Sequence, residues 1–441
     1  MTDLRERTIE VLSRHMTMDR FNFLLDLDGS HGAWLKTVQG EELLDCYSAF
    51  ASLPIGWNHP ALTDPAFLQR LGRSAVNKPA LSDTFTPELA DFVETFYRVG
   101  IPEQFPWIFF VSGGGLAVEN CLKAAFDWKV QKNQAAGRAP LGSKVLHFEQ
   151  CFHGRTGYTM SLTDSHDPRK TKWFPQFDWP RVPSPALRFP VTDAVLAEVR
   201  AAEAHTLARI DAAFDAHEHD IAAIILEPIQ CEGGDNHFRP EFFRALRQVA
   251  DEREALLIFD EVQTGVGLTG TFWAWQALGV EPDLVAFGKK TQVCGLYSSR
   301  RIEEVERNVF VEPSRINSTF GGNLVDMIRF GRVLEVIEED GLVANAARVG
   351  AAFKAALEGL ADELDGFVTN VRGAGLLLAL DVPTEADRDA VIVSAMKHGL
   401  FALSCGARSV RFRPSLIFTE EHVGAAIERL RPALKEVASS S

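Results

Sequence analysis

Lys289 and Asp260 each close a short apolar run, Leu284–Phe287 followed by Gly288 in one case and Leu256–Phe259 in the other. Between them Thr271–Leu278 reads as a short helix, so the spacing predicts a strand–helix–strand crossover that sets two parallel strand ends side by side. An amine attacks a carbonyl carbon only when partly deprotonated, which burial and neighbouring positive charge promote. A carboxylate at the adjacent strand end can keep a heteroaromatic nitrogen protonated, so that the ring drains electrons from a neighbouring carbanion. Lys290 follows at once, and spacing alone does not exclude it; the place directly after the strand-end glycine favours Lys289.

A second constellation is Ser112-Gly113-Gly114-Gly115, between the apolar run Trp107–Val111 and an amphipathic stretch with Val118, Leu122, Ala125 and Phe126 on one face. Glycines opening a helix let backbone N–H groups approach a phosphate, and the helix dipole favours the anion. The run is not G-x-G-x-x-G, so dinucleotide binding is unsupported. Asp260-Glu261 also resembles the acid of an ATPase strand, but Asp283 stands where the first glycine of a G-x-x-x-x-G-K loop would be needed. An amine, an acid and a phosphate cradle together suit pyridoxal 5′-phosphate.

Several elements must position these groups. Trp107–Val111, Val145–Phe148, Ile221–Leu226, Leu256–Phe259 and Leu284–Phe287 are nearly continuous apolar runs, the pattern of parallel strands buried on both faces. Helices are predicted at Leu116–Val130, Pro240–Glu252 and Thr271–Leu278, making an α/β region. After about residue 325 come helices at Leu324–Glu339, Leu342–Leu360, Ala386–His398 and Glu420–Leu430, with strands at Gly375–Val382 and Ser409–Arg413, a smaller α+β unit. The expected division is an N-terminal segment 1–60 packing with the small domain, a large domain 61–323 and a small domain 324–441. The N-terminal segment carries a helix and hairpin-like strands His31–Val38 and Leu43–Tyr47, and Phe174–Pro190 reads as a surface loop.

The 441 residues are 46% apolar and carry a net charge of −15, which argues against nucleic acid as a partner. Six scattered cysteines without a C-x-x-C pair fit reduced thiols, and His217-Glu218-His219 lacks metal-site spacing, so no metal is expected. The charged start lacks a signal-peptide core and no run approaches the ~20 apolar residues of a membrane span, so a cytoplasmic protein without a membrane partner is expected.

Taken in order, Asp260–Gly265, Pro282–Lys289, Phe152–Gly157, Glu227–Gly234, Asn317–Asn323 and Arg372–Leu376 resemble the motifs of the class III aminotransferases over nearly the whole chain. Leu25–Gly32, Ser112–Asn120 and Gly288–Gly295 are similar to the subfamily of L-lysine 6-aminotransferases. The resemblance implies the type I fold of pyridoxal-phosphate enzymes, a mostly parallel sheet flanked by helices plus the small α+β domain, and a homodimer with shared sites. It also implies roles: Lys289 holds the cofactor aldehyde and shuttles the proton, Asp260 pairs with the pyridine nitrogen, and Phe152 and Val262 take opposite ring faces. Gln263 lies on the ring-hydroxyl side and contributes to the substrate site, and the Gly114 and Gly115 amides hold the phosphate with Thr319 of the other chain.

For substrates the resemblance implies transfer of the terminal amine of L-lysine to 2-oxoglutarate. Arg155 takes the distant carboxylate, Arg411 the α-carboxylate of the acceptor, and Glu232 pairs with Arg411 until it swings away. Leu53, Pro54 and Trp57 in Phe50–Pro60, Gly115, and Tyr297-Ser298-Ser299 depart from that subfamily's pattern. The residues leave open another donor, such as ornithine or 4-aminobutyrate, and a catalytically idle protein on the same fold.

Overall fold

The computed structural model describes residues 4–17, 21, 23–78 and 84–440; residues 1–3 of the charged start lie outside them. In chain order the strands are β1 (Leu25–His31), β2 (Trp34–Thr37), β3 (Glu42–Asp45), β4 (Trp107–Val111), β5 (Lys144–Phe148), β6 (Arg181–Val182), β7 (Ile221–Leu226) and β8 (Leu256–Asp260). They continue with β9 (Leu284–Phe287), β10 (Cys294–Ser298), β11 (Thr369–Ala374), β12 (Leu377–Asp381), β13 (Leu400–Phe401), β14 (Leu403–Cys405) and β15 (Ser409–Phe412).

Among the described residues the large sheet runs β4-β10-β9-β8-β7-β5-β6. Every residue of β7, β8 and β9 is buried, as strands covered on both faces require. Alternation sorts their side chains. Leu256, Ile258, Leu284 and Ala286 pack with Val118, Leu122 and Ala125 of the helix Gly114–Ala135. Leu257, Phe259, Val285 and Phe287 belong to the other cluster, with Phe242, Phe243 and Leu246 of the helix Pro240–Glu252. Full burial of each such large side chain contributes about 1.5–3 kcal/mol. The same period-two rule puts Asp260 on the face of Leu256 and Ile258, beside the helix that opens at Gly114.

The strands β7, β8 and β9 are parallel, with Asp260 opposite Ala286, so the predicted crossover is present. The edge differs from the reading of five parallel, fully buried runs. β10 lies between β9 and β4 and is antiparallel to both, and β4 is only half-buried along most of its length. β10 was unforeseen because Cys-Gly-Leu-Tyr-Ser is short and contains a glycine.

Other expectations shift for local reasons. The expected strand Gly375–Val382 is β12, and a further strand, β11, precedes it in a hairpin that turns where Gly375 has φ +54°. The Phe174–Pro190 stretch is not wholly surface loop, since β6 pairs with β5 and Trp179 and Val182 are buried. A 24-residue helix, Asp193–Ala216, adds to the expected elements. The helix expected at Thr271–Leu278 forms only over Ala274–Leu278.

The remaining sheets are β11-β12-β15-β14, antiparallel throughout, and β1-β2-β3-β13. In the latter β13, from the C-terminal part, pairs parallel with β3. The helix Leu324–Glu339 packs against Pro87–Val99.

Candidate active site

The helix Gly114–Ala135 begins at Gly113, whose φ of +117° suits glycine alone, and no side chain caps its first amides. A Cβ on Gly114 would lie 2.9 Å from Val262 Cγ1, and one on Gly288 3.2 Å from the same atom and 3.1 Å from Cys294 Sγ. The glycine loop, the turn after β8 and the turn after β9 therefore meet closely, with the Val262 side chain packed against both glycines.

Asp260 is buried at this junction. Its Oδ2 accepts from Nδ1 of His153 at 2.8 Å, and its Oδ1 accepts the Val262 N–H at 3.1 Å. An ionised carboxylate only accepts, so this contact fixes the His153 tautomer with its proton on Nδ1.

Lys289 reaches the same space. Its Nζ donates to Gln263 Oε1 at 2.6 Å, while Gln263 Nε2 is buried without a partner. Burial, then the positive charge of Arg411, lowers the amine to about 8, with Asp260 and Glu227 opposing. Lys290 looks the other way. Its Nζ donates to the Gln263 carbonyl oxygen at 2.6 Å, and burial and the Lys289 charge lower it to about 7. The acid within its reach is Glu261, which accepts the Trp275 N–H at 2.8 Å on the opposite side of the turn. Lys289, not Lys290, shares a space with Asp260.

Phe152 is half-buried, and its N–H donates to Glu227 Oε1 at 2.9 Å; Glu227 Oε2 accepts the Cys231 N–H at 3.1 Å. Burial, then the Asp260 charge, pushes the Glu227 carboxyl well above the usual carboxylate range. Two buried guanidinium groups sit at the end of β15 but differ in their partners. Arg413 is paired with Asp235. Arg411 makes no ion pair among the described residues, and its Nε is buried without a hydrogen-bond partner.

The expectation for Glu232 is a carboxylate that pairs with Arg411 and swings away. It is not paired with Arg411: its Oε1 accepts from Ser165 Oγ at 2.7 Å and is ion-paired with Lys170. The Lys170 ammonium on the 165–170 loop holds the carboxylate. Arg155 and Thr319 are exposed, and among the described residues no hydrogen bond or ion pair joins either of them to Lys289, Glu232 or Arg411.

Residues 48–51 form a turn in which Ser48, Ala49, Phe50 and Ala51 all have φ between +46° and +60°, a conformation that non-glycine residues adopt only when surroundings impose it. Asp45 imposes it, accepting the N–H groups of Tyr47 and Ser48 at 2.9 and 2.7 Å and Trp57 Nε1 at 2.7 Å. Gln292 Nε2 donates to the Ser52 carbonyl at 2.6 Å, tying this segment to the Lys289 loop.

Sequence reasoning missed His153, Glu227, Ser165, Lys170, Asp235, Arg413 and Gln292. His153, Glu227 and Gln292 lie within the motifs Phe152–Gly157, Glu227–Gly234 and Gly288–Gly295, so a polar group there is a usable signal; the others are joined only in space.

The family model for class-III aminotransferases matches residues 16–434. The L-lysine-epsilon aminotransferase of Mycobacterium tuberculosis (strain ATCC 25618 / H37Rv) is 50% identical over 435 residues, 98% of this chain and 96% of that protein. That of Amycolatopsis lactamdurans is 50% identical over 428 residues, 96% and 95% of the two chains. The solved lysine aminotransferase from M. tuberculosis has a TM-score of 0.96 at 50% identity, covering 99% of this chain and all of the other. An omega transaminase from Pseudomonas jessenii, 20% identical with a TM-score of 0.85, shares the fold.

Proposed function

This chain belongs to the class III aminotransferases, and from that membership we propose that it transfers the terminal amine of L-lysine to 2-oxoglutarate. Half of the chain's residues being identical to enzymes named for L-lysine supports the donor. The observation that carries the acceptor is Arg411, a buried guanidinium free of carboxylate partners and close enough to depress the Lys289 amine. Arginine binds a carboxylate through two parallel hydrogen bonds.

Pyridoxal 5′-phosphate, when bound, supplies the aldehyde that receives the amine and an electron-poor ring that stabilises charge on the adjacent carbon. The residues present fit it. Uncapped amides at Gly114 and Gly115 suit its phosphate, and the unpartnered Gln263 Nε2 suits its hydroxyl side. In this reading Asp260, braced by His153, holds the proton on the ring nitrogen. Phe152 and Val262 flank the ring, and Glu227 sets Phe152 by gripping its amide. Lys289 Nζ would anchor the cofactor and, once freed, would carry the proton from the substrate carbon that bears the amine to the cofactor's own carbon, and the reverse for the acceptor. Arg155 takes the far carboxylate, and Thr319 serves the site of the other chain of a homodimer, which its exposure on its own chain supports. The six unpaired cysteines fit a cytoplasmic setting.

Lysine carrying heavy nitrogen at its terminal amine is the direct test. Heavy nitrogen should appear in glutamate formed from 2-oxoglutarate. Glutamate labelled only from the α-amine, or formed only from ornithine or 4-aminobutyrate, would overturn the assignment.

A further inference from the structure

Glu232 and Arg411 present an unusual pair of unsatisfied atoms. Glu232 Oε2 and Arg411 Nε are both buried without hydrogen-bond partners. Their backbones are fixed relative to one another. The Gly406 N–H, in the turn between β14 and β15, donates to the Glu232 carbonyl at 2.8 Å. Arg372 Nε, on β11, donates to the Gly234 carbonyl at 3.1 Å, and Arg413 of the β15 end pairs with Asp235. Only the Glu232 side chain is left to choose its partner.

The partner it has is not an arginine. Lys170 Nζ is ion-paired with Glu232, donates to Ser165 Oγ at 3.1 Å, and lies 5.6 Å from the centre of the Phe152 ring. Ser165 Oγ in turn donates to Glu232 Oε1 at 2.7 Å. The neighbouring acids have partners of their own: Asp167 pairs with Arg169 and Asp164 with Arg181.

We infer that Lys170 and Ser165 are a purpose-built seat for Glu232, positioning residues that hold this carboxylate off Arg411 and so open the site to a dicarboxylic acceptor. The inference rests on the proposed role of Arg411 as the acceptor's carboxylate site. A carboxylate held at Lys170 leaves the guanidinium charge uncompensated, which attracts an incoming carboxylate. Remove the ammonium, and Arg411 is the cation that remains for Glu232; the glutamate then competes with the acceptor. Lysine suits this task because its single point charge releases a carboxylate more readily than the two-pronged guanidinium.

The test uses cofactor-loaded protein and glutarate, an unreactive dicarboxylate, measured by calorimetry beside the separate amine and acceptor half-reactions. Lys170→Met should weaken glutarate binding by about 10-fold, equivalent to about 1.4 kcal/mol. It should raise KM for 2-oxoglutarate similarly, with kcat and the lysine half-reaction changing far less. Lys170→Arg should restore most of the loss. So should Glu232→Gln added to Lys170→Met, because a neutral amide cannot mask Arg411; a merely structural lysine would not be rescued this way. Unchanged glutarate affinity in Lys170→Met, or no rescue by Glu232→Gln, overturns the seat while leaving the function intact. Failure of the parent protein to bind glutarate overturns the Arg411 site and this inference with it.

Discussion

Lys289 and Lys290 carry the same amine one residue apart, and their surroundings divide the work. Both are depressed by burial, to about 8 and about 7, so readiness to react does not distinguish them. Direction does, because Lys289 shares its space with Asp260 and Arg411 whereas Lys290 is turned toward Glu261 and Arg413. An amine becomes nucleophilic as it loses its proton, so a lowered value moves reactivity to lower pH. Capture of pyridoxal 5′-phosphate by the apoprotein should therefore rise with pH and reach half its maximum near 8, followed by absorbance. Lys289→Ala should abolish the capture and Lys290→Ala preserve it. Asp260→Asn should fold normally yet lower kcat by about 100-fold or more in steady-state assays, since each unit of ring-nitrogen pKa lost costs about 1.4 kcal/mol of preference for the charged ring. The acid, the amine and the glycine cradle were legible because each sits at the end of an apolar run. His153 and Glu227 lie inside motifs of the sequence, but their partners, Asp260 and the Phe152 amide, are set by contacts across long stretches of chain.

Elements place these residues, and their weak points are backbone crossings. β10 locks the edge of the sheet, and a Cβ on Gly295 would lie 2.1 Å from the Phe109 carbonyl oxygen of β4. Because that neighbour is backbone, Gly295→Ala should destabilise the fold by about 2–4 kcal/mol, read as a fall in the denaturant midpoint. The helices Pro240–Glu252 and Leu324–Glu339 were readable to their ends, the first by its proline, both by apolar periodicity. Periodicity could not reveal β10, the β11–β12 turn or the left-handed turn at residues 48–51. Antiparallel insertion, a glycine with positive φ, and a buried carboxylate imposing strain leave no repeating trace in a sequence.

On the scale of the whole molecule, the proposed units 1–60, 61–323 and 324–441 are linked by β3–β13 pairing across the first and last. That pairing supports treating the N-terminal segment as part of the smaller unit. Thr319 is exposed on its own chain, as is Phe320 at 61%, which supports a second chain meeting them. Sedimentation should give about twice the 48.8 kDa chain mass. Mixed dimers of Lys289→Ala with Thr319→Val chains should regain activity, because one of their two shared sites would be intact; inactivity of verified mixed dimers would show that Thr319 serves its own chain.

The central claim, that Lys289 is the anchoring amine and a lysine-type donor displaces it, can be read by mass. Loaded protein is treated with borohydride, digested, and the peptide bearing the cofactor is sequenced. The expected result is attachment at Lys289 alone, lost when L-lysine is added before the reductant. Attachment at Lys290, or attachment at Lys289 that L-lysine leaves untouched, would contradict it.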